Sequence, residues 1–160
     1  MIQCITEHTE KTMKLLLWPM IAIVLSMLHS IQAWAEEADL IGHMGRMQYF
    51  THKTGLAINA QNKTLATFYA HEMEHSLNEV MKIESFDGHP ISRHAENILL
   101  PVFKQFETAL EKADWSAIQS QYRKVIKACN QCHTTTEHEF IIIRENPDNP
   151  YLQDFNPPAR

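Results

Sequence analysis

The sequence predicts an all-α fold, an antiparallel four-helix bundle followed by an extended, Pro-rich C-terminal tail. Three observations carry that expectation. Four segments of about 20 residues each repeat their apolar positions at intervals of three and four. No segment sustains the two-residue alternation of a half-buried strand. Four of the seven prolines fall after Ile143, where a packed helix could not hold them.

The first helix is expected over residues 39–60, with Leu40, Met44, Met47 and Thr51 on one stripe. The second is expected over 63–83, where Leu65, Tyr69, Met73, Leu77 and Val80 or Met81 align. Asp87-Gly88-His89-Pro90 then breaks the chain. The third runs over 92–112 on Leu99, Phe103, Phe106 and Leu110, with a kink or late start at Pro101. The fourth starts at Asp114, an N-cap residue, and continues through Trp115, Ile118, Tyr122, Val125 or Ile126 to Cys129. The tail, 144–160, carries Asn146-Pro147, Asn149-Pro150 and Pro157-Pro158, and Tyr151, Leu152 and Phe155 are its expected anchors on the helices.

Residues 1–35 read as a secretory signal peptide. Lys11 and Lys14 precede the apolar run Leu15–Leu28, and Ala33-Trp34-Ala35 supplies a small-x-small cleavage site. Met13 makes the better start, opening a compact leader and leaving Cys4 outside the translated chain. The run is short for a membrane span of roughly 20 residues, so the expectation is cleavage near Ala35 and a periplasmic product with no lasting span. The remaining 125 residues hold 17 Asp plus Glu against 12 Lys plus Arg. That balance excludes a nucleic-acid binder and favours a basic protein partner. Only two cysteines are left, three positions apart, so no disulfide framework is available to them.

Cys129-Asn130-Gln131-Cys132-His133 is the C-x-x-C-H pattern of c-type haem attachment. Two thiols one helical turn apart can each add to a vinyl group of one porphyrin, and the next residue then lies where its imidazole can bind the iron. A thioredoxin-type pair would need a βαβ context, and a zinc site two further ligands; neither is present. The expectation is one covalent haem c, with His133 as the proximal ligand, in a domain over 36–143.

With these residues in place, the chain resembles the cytochrome c′ family. It is similar also to small relatives that end in Cys-Asn-x-Cys-His, a Phe-Ile-x-Ile run and a Gln-Asp-Phe. Here those are Cys129 to His133, Phe140 to Ile143, and Gln153-Asp154-Phe155; Leu65-Ala66 leading to His71-Glu72 and Glu74 is similar too. The resemblance implies a four-helix haem protein whose distal residue comes from the first helix, and a homodimer formed through the first two helices. The Tyr-Arg usual after the haem histidine is replaced by Thr134 to Phe140, and the tail after Ile143 is extra.

The face opposite His133 decides function. Two strong axial ligands suit an electron carrier, while an open site binds small gases such as nitric oxide or carbon monoxide. Met44 and Met47 are the candidate sixth ligands, each set against an ordinary role as core filler; His43 and His52 lie off their stripe. The leading expectation is a mono-haem electron carrier with a redox partner, and the alternative is gas binding. His71-Glu72-Met73-Glu74-His75 also matches the H-E-x-x-H pattern of zinc proteases. A zinc protease also needs a third ligand and a cleft, normally in a larger domain containing a sheet, and rotation of about 100° per residue turns both histidines away from the Tyr69/Met73 stripe. A hydrated or inter-helix polar face beside the tail is therefore the expectation there, with a haem ligand or an incidental metal site as the alternatives, and an enzyme is not expected.

Overall fold

The structure, a computed structural model, describes residues 40–158; the leader and its cleavage site lie outside the described residues. The fold is all-α. The first helix, α1, occupies 40–59 of the described chain, followed by α2 (Lys63–Val80), α3 (Ile91–His94), α4 (Leu100–Lys112) and α5 (Trp115–Thr135). Among the described residues no strand forms, only an isolated bridge between Phe86 and His89. No described helix is long and apolar enough to cross a membrane.

Local chemistry sets the helix ends. Asn62 caps α2 by accepting from the Leu65 amide, and Asp114 caps α5 by accepting from Ser116 and Ala117. Between α4 and α5 the chain reverses at Ala113, which takes the left-handed conformation (φ 57°). The second helix ends at Val80 rather than at Ile83. Met81 and Lys82 form a turn, and Ile83 is buried, its carbonyl accepting from the Ser92 amide at 3.0 Å. Asp87 and Gly88, both at positive φ, then close a two-residue reversal in which Phe86 and His89 exchange backbone bonds.

α3 and α4 are one rod joined by a π-helical stretch, Ala95–Leu99. Pro101 stands in the first turn of α4; its missing N–H and its ring would break a regular α-ladder, and the wider turn just before it absorbs the misfit. The kink or late start expected at Pro101 takes the form of this π-helical stretch just before it.

The core lies between the rods. Phe103 and Phe106 of α4 are almost wholly buried, and Phe106 meets Tyr122 of α5 at 6.1 Å between ring centroids. Tyr122 also donates to the Thr51 carbonyl of α1 at 2.8 Å, and its hydroxyl sits over Gly55, so close that no side chain fits there. α1 meets α2 where the Thr51 and Thr54 hydroxyls reach the Met73 sulfur, at 3.8 and 3.4 Å. α2 is tied to α4 by Lys104–Glu74 at 2.5 Å and by Lys63 donating to the Glu111 carbonyl.

The tail has no regular structure and folds back over α1 and α2. Asn62 uses its remaining donor on the Phe155 and Asn156 carbonyls. Lys53, almost fully buried and without a carboxylate partner among the described residues, lies 4.7–5.2 Å from the ring centroids of Tyr49, Tyr69 and Tyr151 and donates to Gln153 Oε1 at 2.9 Å. Tyr151 and Phe155 are anchors, as expected. Leu152 is not: its side chain is fully exposed, at 111% of the reference area. Asn149 accepts from the Tyr151 amide and donates to the Gln153 carbonyl, a turn that aims Tyr151 and Gln153 inward and leaves Leu152 between them outside.

Candidate functional site

The C-terminal turns of α5 carry Cys129, Cys132 and His133 to the edge of one cavity of about 440 Å³. That volume falls in the usual range of roughly 300–1,000 Å³ for a small-molecule or cofactor site. Its wall is overwhelmingly apolar. α1 contributes Leu40, Met44 and Met47, the third rod contributes Ile91, Ala95 and Leu99, and Val80 and Phe86 close one side. Ala95 and Leu99 both belong to the π-helical stretch, so the distortion that accommodates Pro101 also shapes this wall.

Both cysteines are unpaired thiols, half-buried. Burial pushes the Cys129 thiol up to about 12, with Cys132 adding to the rise, and burial raises Cys132 as well. A catalytic dithiol needs the opposite, a thiol stabilised as thiolate by nearby positive charge. These sulfurs stay protonated and are aimed into an apolar space.

His133 is held from behind. Its Nδ1 lies 2.7 Å from the Ile141 carbonyl, which can only accept, so Nδ1 carries the proton and the Nε2 lone pair is left for a metal. The segment that supplies this carbonyl is itself pinned. Asn130 accepts from the Ile143 amide at 2.7 Å and donates to the Ile143 carbonyl at 2.8 Å. Residues 136–143 therefore form a strap that leaves α5, turns at Glu137 (φ 60°) and returns to the cavity with Ile141 and Ile143 in its wall. The strap also brings in His138, whose ring lies beside Phe86, His89 and Phe140.

The residues singled out in the sequence thus sort by position. Cys129, Cys132, His133, Met44 and Met47 line one cavity, Met47 buried and Met44 half-buried. Met73 does not compete, because it does not line the cavity and its sulfur accepts from the Thr54 hydroxyl at 3.4 Å. His43 does not line the cavity, and its buried Nδ1 has no hydrogen-bond partner among the described residues. His52 is committed elsewhere, donating from Nε2 to the Asp148 carbonyl and accepting at Nδ1 from Tyr151. Sequence reasoning gave no role to Asn130, His138, Ile91 or Ala95. Ile91 and Ala95 extend the four-residue spacing of Leu99, and Asn130 stands in the Cys-Asn-x-Cys-His pattern, whereas His138 had no signal.

His71 and His75 lie on the exposed side of α2, while Met73 between them is buried. His71 faces Glu74 at 3.5 Å. Among the described residues no three His, Cys, Asp or Glu side chains converge to hold a metal ion.

The donor set fits a haem: two protonated thiols one turn apart, an imidazole with Nε2 unengaged, and an apolar wall with two thioethers on a different helix. Compared with family models, with curated proteins and with solved structures, the chain matches none.

Proposed function

We propose that the chain is an exported mono-haem c-type cytochrome that carries electrons, built as an antiparallel four-helix bundle of the cytochrome c′ kind. The observation that carries the reading is that all three residues of the C-x-x-C-H motif open onto a single apolar cavity. Cys129 and Cys132 would hold the group by thioether bonds, and His133 would bind iron through Nε2. The Ile141 carbonyl keeps His133 in the right tautomer and makes it a stronger donor. Iron held this way would supply a one-electron couple, and the apolar wall would keep water off it and so tune its potential. Met44 and Met47, which line the same cavity, would offer a sixth ligand, and a thioether there would favour electron transfer over ligand binding.

The full chain, made in a host that matures c-type cytochromes, tests the reading. Haem should stay with the denatured polypeptide, one iron per chain, and Cys129→Ala/Cys132→Ala should abolish that attachment. Purified protein lacking haem, or holding zinc in its place, would overturn it. The ferrous spectrum with carbon monoxide then divides the two uses of the site. A six-coordinate spectrum indifferent to the gas, lost in Met44→Leu or Met47→Leu, belongs to the electron carrier. A high-spin spectrum that shifts on gas addition would replace that function with nitric oxide or carbon monoxide binding.

A further inference from the structure

We infer that a second, polar cavity beside the first receives the two propionate carboxylates of the haem, and that Arg144 is the cation that binds them. This rests on the haem reading. The apolar cavity can take the hydrocarbon body of a porphyrin, but not its two ionised carboxylates, whose loss of water nothing in that wall would offset. A polar exit is needed away from the thiols that fix the vinyl edge.

The structure contains such a space. A cavity of about 350 Å³ meets the apolar one along Gly45, Gln48, Thr51 and Ile143, which line both. Gly45 contributes to the opening: a Cβ built there meets nothing within 4 Å, and Gly in mid-helix carries a stability cost that packing does not explain. The charge pattern then selects an anion. The chain has 19 Asp plus Glu against 14 Lys plus Arg, yet no carboxylate among the described residues lines either cavity. Among the described residues the one Lys or Arg in either lining is Arg144, and it pairs with no carboxylate of that set.

Arg144 is also placed by the strap. It follows Ile143, whose amide and carbonyl are both held by Asn130, so its backbone is fixed at the junction of the cavities. Across from it, Gln48 offers a side-chain amide from α1, and Asn146 lies farther along the tail. His52 also faces this space, but both of its ring nitrogens are engaged. A guanidinium can bind a carboxylate through two parallel N–H groups.

The test uses the full-length holoprotein and reads its midpoint potential against pH. Removing a positive charge beside the propionates favours ferric iron. Arg144→Gln should therefore raise the ferric-to-ferrous ratio at fixed potential about three- to tenfold, a fall of about 30–60 mV at 59 mV per tenfold for one electron. It should also steepen the pH dependence between about pH 5 and 8, as propionates without their cation titrate higher. Arg144→Lys should restore most of the potential, and Gln48→Leu should lower it about twofold in ratio. Arg46→Gln removes an equal charge from α1 outside both linings and should move it less than Arg144→Gln. An unchanged potential and pH profile in both Arg144→Gln and Gln48→Leu would overturn the inference, as would a larger shift in Arg46→Gln. Wild-type protein without covalent haem would instead overturn the function proposed above.

Discussion

Asn130→Ala tests whether the strap, and with it the orientation of His133, hangs on one side chain. Asn130 makes two hydrogen bonds to Ile143, at 2.7 and 2.8 Å, in a half-buried setting. A typical bond of this kind contributes about 1 kcal/mol net. Water can reach the freed Ile143 groups, so the loss should total about 1–2 kcal/mol. With unfolding entropy of about 2.1 cal/mol/K per residue over about 120 residues, each kcal/mol is worth about 4 °C, and the melting point should fall by about 4–8 °C. The effect should also be local. Amide exchange at Ile143 should accelerate beyond what the change in global stability explains. Asn130→Asp sharpens the assay. Its carboxylate keeps the acceptor for the Ile143 amide but sets a second oxygen against the Ile143 carbonyl. It should therefore be at least as destabilising as Ala at neutral pH, and recover in acid as that oxygen gains a proton to donate. A change under about 0.5 kcal/mol in Asn130→Ala, with Ile143 exchange untouched, would mean that packing alone holds the strap.

Three further outcomes follow from the packing. Gly55→Ala puts a Cβ 2.5 Å from Tyr122 Oη and should cost about 1–3 kcal/mol by denaturant unfolding; adding Tyr122→Phe removes the worst clash and should recover part of it, a coupling that a double-mutant cycle reads directly. Phe155→Ala, which empties a buried ring site 6.2 Å from both Tyr69 and Tyr151, should cost about 3 kcal/mol, whereas Leu152→Ala should stay within about 0.5 kcal/mol. The third concerns acid. The hydrogen bond from Lys104 holds the Glu74 carboxyl below its ordinary 4.5, so its contribution is complete above that pH and is lost as pH falls through the lower folded value. Lys104→Met should leave stability at neutral pH within about 1 kcal/mol of wild type and flatten that part of the acid limb.

How much of this was legible in the sequence depends on the range of the interaction. Asp114, Asp87-Gly88 and the apolar stripes act within a few residues, and each produced the cap, turn or buried face expected of it. Pro101 was legible as a disturbance but not in form: a π-helical stretch depends on what the neighbouring rod tolerates. Leu152 shows the limit. Three apolar residues within five positions read as anchors, but which of them points inward is decided by the Asn149 turn, not by hydrophobicity.

The candidate site divides along the same line. Cys129, Cys132 and His133 are chemically meaningful because of their spacing, and spacing is visible in one dimension. What turns that triplet into a site comes from elsewhere in the chain: thioethers from α1, a wall from the π-helical stretch, and a carbonyl eight residues downstream that sets the tautomer of His133. Asn130 is the instructive case. Inside the motif it occupies a position that attachment chemistry leaves free, and nothing in the spacing requires an amide there. Its partner, Ile143, is 13 residues away, beyond a turn whose path the sequence does not reveal. A two-donor-acceptor side chain facing one backbone peptide fixes both translation and rotation of that peptide. The first of the two residues between the cysteines is thereby made responsible for where Ile141, Ile143 and Arg144 stand. Asn130→Ala should therefore alter not only stability but also the environment of His133, and the two effects should appear together.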